Sequence, residues 1–346
     1  MYSESDIDGA VAAGAISPDA AAALRRHVAS AHAAPAVDEE HFRLLTGFND
    51  IFVSIAIALL LAALGQIGFR VTHALGGGLV AAAAWMLALY FTARRRMALP
   101  SILLLLAFVG GVAGALIGGI ETIFPHIDGR AGGFAAAGVG LISAAAAYLH
   151  WRRFMVPITV AAGAAALVAV AAGLLMAAVP DIKQGIWPLV LLCGIAVFAL
   201  AMRWDMSDTR RETRRADVAF WLHLAAAPMI AHPVFHMLGV FNGEANGEIG
   251  AGVAAIVLVL YLLFAGIALA IDRRALLVSS LVYVLYALYA LFRSAGAVEL
   301  GAAFTAFVIG SALLTLSAFW QPMRSMIVGW LSQPLRLKLP PVHQPA

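Results

Sequence analysis

The sequence predicts an all-α fold: a polytopic transmembrane helix bundle of about ten spans arranged as consecutive helical hairpins. Three observations lead there. Hydrophobic residues make up 63% of the 346 and charged residues only 12%, with a mean hydropathy of +0.92, whereas a soluble domain carries about 45–50% apolar and about 25% charged residues. The apolar residues gather into runs of about the 20 residues needed to cross a hydrocarbon core of about 30 Å. Short polar breaks separate the runs, so successive helices must be antiparallel. This composition excludes a nucleic-acid partner, a disordered chain and a disulfide-stapled secreted domain; the one cysteine, Cys193, sits in an apolar run without an intrachain partner.

Residues 1–48 read as a cytoplasmic helical hairpin and linker. Ser17 is the expected N-cap of its second helix, with Pro18 at the first position and Asp19 favouring the positive helix end. Gly14, Ala15 and Ile16 supply the turn. The acidic start (Glu4, Asp6, Asp8) lacks the basic region of a cleavable signal, so insertion is expected to rely on the first span. The spans then run over 50–69, 72–92, 98–120, 131–150, 154–179, 185–202, 217–240, 249–271, 275–292 and 298–320, within a transmembrane domain of residues 49–320. Asn49 and Asp50 cap the first of them. Residues 321–346 form an interfacial amphipathic helix and a Pro-rich basic tail. The helix carries the stripe Met323, Met326, Ile327, Trp330 and Leu331, leaves Arg324 off it and ends at Pro334; Arg336 and Lys338 then face anionic lipid.

Charge placement orients the bundle. Of the 22 Lys and Arg, 18 fall on one side of this layout and only Arg70, Arg130, Lys183 and Arg293 on the other. Positive loops resist translocation, so both termini are expected in the cytoplasm. Trp151, Trp187, Trp204, Trp221 and Trp320 lie near span ends, the headgroup level that aromatic side chains prefer. His150 is expected to snorkel there beside Trp151.

Arg pairs begin at Arg95, Arg152, Arg214 and Arg273, spaced 57, 62 and 59 residues apart. Two open nearly the same phrase, Arg95-Arg96-Met97-Ala98-Leu99-Pro100 and Arg152-Arg153-Phe154-Met155-Val156-Pro157. Any regular string of hairpins obeying the positive-inside rule would give such a period; so would a duplicated two-helix unit. In the third span, Gly110, Gly114 and Gly118 align on one face, a helix-packing stripe that serves either intramolecular packing or a homo-oligomer.

Polar residues at membrane depth cost about 2.5–3.5 kcal/mol per charge on insertion scales, which makes them the natural place to look for function. The seventh span concentrates them: Trp221, His223, Pro228, His232, Pro233 and His236. His232 and His236 are four apart and share a face, so they are the candidate metal ligands. Pro233 removes a helical hydrogen bond and frees a carbonyl beside them. With Pro228, His223 and the outer-loop acids Glu121 and Glu244, they form a candidate solute or ion pathway near the outer face. The same side carries His126, Asp128, Asp181, Glu248 and Glu299. Tyr283, Tyr286 and Tyr289 form a packing stripe or line a cavity, and Arg293 with Glu299 form a surface ion pair of little weight. No phosphate-cradling loop, no nucleophile with a buried base and no paired mid-membrane acids occur, so neither catalysis nor a cofactor is expected.

The phrase Ala13-Gly14-Ala15-Ile16-Ser17-Pro18-Asp19-Ala20-Ala21-Ala22-Ala23-Leu24, followed by a polar linker and many Gly/Ala-rich spans, resembles the start of a family of bacterial multi-span membrane proteins of unknown function. Those proteins carry a short cytoplasmic helical hairpin before the membrane domain. The resemblance covers about thirty residues and implies a bacterial inner-membrane location; it brings no catalytic residues.

The expected function is a transporter or permease whose partners are the lipid bilayer and a divalent cation or proton. One alternative is a membrane scaffold recruiting a cytoplasmic protein through the N-terminal hairpin. Another is a membrane enzyme on a lipid-linked substrate, with an acid/base pair drawn from His232, His236, Glu121 and Glu244.

Overall fold

A computed structural model of the chain describes residues 4–31, 48–179, 185–209, 211, 213–239, 251–294 and 301–341. Regular structure within them is entirely helical: α1 (Glu4–Ala12), α2 (Pro18–Ala31), α3 (Phe48–Phe69), α4 (His73–Phe91), α5 (Ala98–Ile123), α6 (Gly129–Phe154), α7 (Ile158–Ala178), α8 (Ile186–Met206), α9 (Arg214–Met237), α10 (Ala251–Ile271), α11 (Ala275–Ser294), α12 (Gly301–Ala318), α13 (Trp320–Trp330) and α14 (Gln333–Arg336). Among the described residues, nine of the helices α3 to α12 are long and apolar enough to cross a membrane; the tenth, α11, has 20 residues with an apolar stretch over Leu277–Tyr289. At 1.5 Å per residue, 20 residues reach about 30 Å. The protein is an integral, multi-pass membrane protein.

The chain divides into two compact units, residues 43–342 and residues 1–42 with 343–346. In the smaller unit α1 packs on α2, and Gly14 turns the chain at φ +71°. Ser17 Oγ accepts the Ala20 N–H at 3.1 Å, the expected cap.

In the larger unit the helices pair as hairpins, most closely α4 with α5, α6 with α7, α8 with α9 and α10 with α11. The odd-numbered helices α3, α5, α7, α9 and α11 also touch one another in series. Ile57, Leu61, Ala84, Ala88 and Leu104 form the core of the first three spans. Ala161, Val197, Ala201, Val218, Leu222 and Ala226 join α7, α8 and α9. Ala227, Ala231 and Phe235, on another face of α9, join α10 and α11 through Ala254, Val257 and Val284. Because two cores share α9, half of its apolar window is buried, against a third or less for every other candidate span. Large apolar side chains elsewhere, such as Phe52, Leu59, Leu192 and Leu262, face outward, as a lipid-facing surface requires.

Two hairpins are closed by the same device. On α4 and α5, Gly77 and Ala81 face Gly111 and Ala115; on α6 and α7, Gly133 and Ala137 face Gly173 and Ala177. A Cβ at Gly111 would lie 2.7 Å from the Ala81 nitrogen, and one at Gly173 would lie 2.5 Å from the Ala137 nitrogen, so only glycine lets these backbones approach. The contact line on α5 therefore runs through Gly111, Ala115 and Gly118. It is displaced from the Gly110, Gly114 and Gly118 stripe: Gly110 faces open space and Gly114 stands at ordinary contact distance from Gly77.

The backbone repeats as well. Among the described residues, four non-glycine residues adopt the left-handed conformation, Arg96, Met155, Arg211 and Asp272, and they are 59, 56 and 61 residues apart. Each sits in the turn that joins the two helices of one of these hairpins, α4–α5, α6–α7, α8–α9 and α10–α11 in order, at the same end of the bundle. That end also carries the four Arg pairs and is hereafter the basic end.

Three expectations change. His150 does not snorkel: it is fully buried among Trp85, Phe108 and Phe154, with Nδ1 3.4 Å from Thr159 Oγ1. The helix carrying it continues to Phe154, so the next span begins at Ile158 rather than at residue 154. On α13 the face turned to the protein is Trp320, Arg324 and Val328, while Met326 and Trp330 of the anticipated stripe are exposed. The chain beyond is ordered through α14 to Pro341, because Arg324 donates to the carbonyls of Pro340 (2.6 Å) and Pro341 (3.2 Å).

Candidate functional site

The polar side chains of α9 fall in two groups, one toward each end. Thr213 starts the helix, its hydroxyl accepting the Arg215 N–H at 3.2 Å. Pro228 and Pro233 lie inside it. A proline leaves the carbonyl four residues earlier without its helical donor, which for Pro233 is that of Met229. Gly194 of α8 lies against that carbonyl so closely that a Cβ there would come within 2.9 Å of the oxygen. The proline interruption is thus matched by a glycine on the neighbouring helix.

Toward the end opposite the basic one, His232 Nδ1 and the Tyr283 hydroxyl of α11 are hydrogen-bonded. Trp187 of α8 stacks on His236 at 4.3 Å and meets the His232 ring edge-on at 4.9 Å. The two imidazole centres are 6.2 Å apart, and Phe235 stacks on Tyr283 at 4.3 Å. The result is a partly buried cluster of two imidazoles, one phenol and an indole drawn from three spans. Among the described residues no three His, Cys, Asp or Glu side chains come together as metal ligands, whereas a zinc site takes three or four protein ligands. Glu121 is not part of the cluster; it pairs with His73 at 3.4 Å on the exposed end of α4 and α5. Glu244, like Asp181, Glu248, Glu299 and the Arg293 side chain, lies outside the described residues.

His223, the third imidazole of α9, belongs to the other group. Its Nε2 donates to Asp205 Oδ2 at 2.8 Å, while Arg273 donates to the same carboxylate through Nη2 (2.6 Å) and Nε (3.3 Å), and to the Ala216 carbonyl (3.2 Å). Asp205, His223 and Arg273 are each 4% exposed or less. Nδ1 of His223 is buried with no hydrogen-bond partner among the described residues. Next along the chain, Asp272 receives Arg211 Nη1 (2.9 Å) and the Trp320 indole N–H (2.8 Å), with Arg324 Nε at 3.7 Å. Two buried carboxylates and three guanidiniums thus lock α8, α9, the α10–α11 link and α13 together. An ion buried this way needs both its pairs and its extra hydrogen bonds to offset desolvation, and here the carbonyls of Ala216, Ile271 and Asp272 supply them.

Comparison of the chain with protein-family models, curated proteins and solved structures finds no match. The geometry of α9 and its neighbours therefore carries the functional argument.

Counting charges by loop places Asp205, Asp272, Arg273 and Arg324 at span ends or on an interfacial helix and misses that they meet. One local signal was present: Asp205 sits in the last turn of an apolar helix, between Trp204 and Met206, where an unpaired carboxylate would be costly. The partnership of Tyr283 with His232 spans 51 residues and has no local signature.

Proposed function

We propose that the chain is a transporter of permease type, with its basic end on the cytoplasmic side of a bacterial inner membrane and a site for a proton or small cation near the outer face. What supports this reading most is the placement of His232, His236, Tyr283 and Trp187 around α9, the most enclosed and the only twice Pro-interrupted of the described spans. Imidazoles exchange protons near neutral pH, and the faces of Trp and Tyr attract cations. Interrupted membrane helices recur at transporter substrate sites because freed backbone carbonyls supplement side-chain ligands.

The test uses the full-length protein in liposomes loaded with a pH dye or a divalent-cation dye. With an imposed gradient, flux above that of protein-free liposomes is expected. His232→Ala/His236→Ala should lower it about tenfold or more, the weight of one charge-assisted hydrogen bond or more, and Glu121→Gln should leave it unchanged. Equal leakage from protein-containing and empty liposomes for both probes would defeat the reading and favour a scaffold that recruits a partner through α1 and α2.

A further inference from the structure

The two members of the Arg273–Arg274 pair have different fates. Arg273 is buried against Asp205. Arg274 lies with its guanidinium carbon 4.6 Å from the centre of the Trp320 ring, and no acceptor among the described residues takes its donors. It stands at one end of a groove of about 180 Å³ between α11 and α12, walled by Leu277, Leu281, Leu313 and Leu316 and closed by Trp320. The shelf beneath the guanidinium is fixed: the Trp320 indole donates to Asp272, which Arg211 also holds.

We propose that this groove binds one phospholipid with an anionic headgroup, its phosphate on Arg274 and the start of an acyl chain along the leucines. Charge complementarity names the occupant. A guanidinium stacked on an aromatic face keeps its edge N–H groups for a phosphate, which it can grip through two parallel hydrogen bonds. The leucine walls come from one face of each helix, Leu277 and Leu281 on α11 and Leu313 and Leu316 on α12, so the apolar part of the groove leads away from the cation along the spans. An acyl chain attached to a phosphate has this order of polar and apolar parts; a soluble anion lacks the second and a zwitterionic lipid offsets the first.

The experiment is native mass spectrometry of the full chain in mild detergent, titrated with phosphatidylglycerol and phosphatidylcholine of identical acyl chains. Preference for phosphatidylglycerol of about tenfold is expected, the weight of one charge-assisted hydrogen bond. Arg274→Gln should remove the preference while retaining weak binding of both lipids. Ser317→Phe, which fills the groove and keeps the charge, should reduce binding of both. Circular dichroism of each variant checks that it folds. Equal retention of the two lipids by the parent protein, an undiminished preference in Arg274→Gln, displacement of the lipid by inorganic phosphate alone, or a dimer that replaces the lipid when it is stripped would each overturn the proposal.

Discussion

Arg273 and Asp205 are 68 residues apart and meet at 2.6 Å, both almost completely buried, at the junction of α8, α9 and the α10–α11 link. Removing one member of such a pair strands the other, at a cost of about 3–5 kcal/mol. Arg273→Met alone should therefore lower stability by about that amount. In Asp205→Asn/Arg273→Met both charges are gone and the amide oxygen still accepts from His223, so the double variant should be more stable than the sum of the single losses by over about 1 kcal/mol. Unfolding by SDS titration of the four proteins closes the cycle; strict additivity would show that the pair is not coupled.

The glycines of α5 separate two roles that look alike in the sequence. Gly111→Leu should cost about 1–3 kcal/mol or more, since its side chain would enter the α4 backbone beside Ala81. Gly110→Ala, in open space, should be neutral or gain up to about 1 kcal/mol from helix propensity. Equal loss at both sites, read from the same SDS titration, would place Gly110 in an interface with another protein.

How far these features were legible depends on their range. Span number, hairpin order and the Ser17 cap follow from local pattern, so they appear in sequence and structure alike. The repeat was visible as Arg-pair spacing with two explanations; the left-handed residues at Arg96, Met155, Arg211 and Asp272, with the matched glycine contacts of two successive hairpins, favour a repeated two-helix unit. The contact stripe on α5 was missed by one position because 110, 114, 118 and 111, 115, 118 both satisfy helical spacing. The Arg324 position was misread for another reason. A charge beside an apolar stripe suggests a wetted face, and only the distant Asp272 and the proline carbonyls make burial tolerable.

Those left-handed links give a prediction with opposite signs. The conformation costs an L side chain roughly 1–2 kcal/mol, partly offset by the chain entropy that glycine loses, about 0.5–1 kcal/mol. Met155 is 42% exposed, so Met155→Gly should gain about 0.5–1 kcal/mol. Asp272→Gly relieves the same backbone but removes the acceptor of Arg211 and Trp320, and should be strongly destabilising. Thermal melts in detergent distinguish the two; a loss at both sites would mean that the Met155 side chain, not its backbone, stabilises the link.

The hydrogen bond between His232 Nδ1 and the Tyr283 hydroxyl ties α9 to α11 in the cluster opposite the basic end. A phenol both donates and accepts, so the direction of this bond and the tautomer of His232 are linked: the hydroxyl donating to Nδ1 puts the ring proton on Nε2, and Nδ1–H donating to the hydroxyl puts it on Nδ1. Tyr283→Phe keeps the stack on Phe235 and removes only the hydroxyl, so the stability loss should be about 1 kcal/mol, that of one hydrogen bond. The larger effect should be on the imidazole: nitrogen-15 NMR of labelled protein should show the His232 resonances changed and those of His236, which stacks on Trp187, little moved. If α9 carries the conducted ion, flux in the liposome assay should fall with the same substitution although the fold is intact. Unchanged His232 resonances would mean that the hydroxyl does not set the tautomer, and unchanged flux with altered resonances would remove His232 from the ion path while leaving its packing role in place.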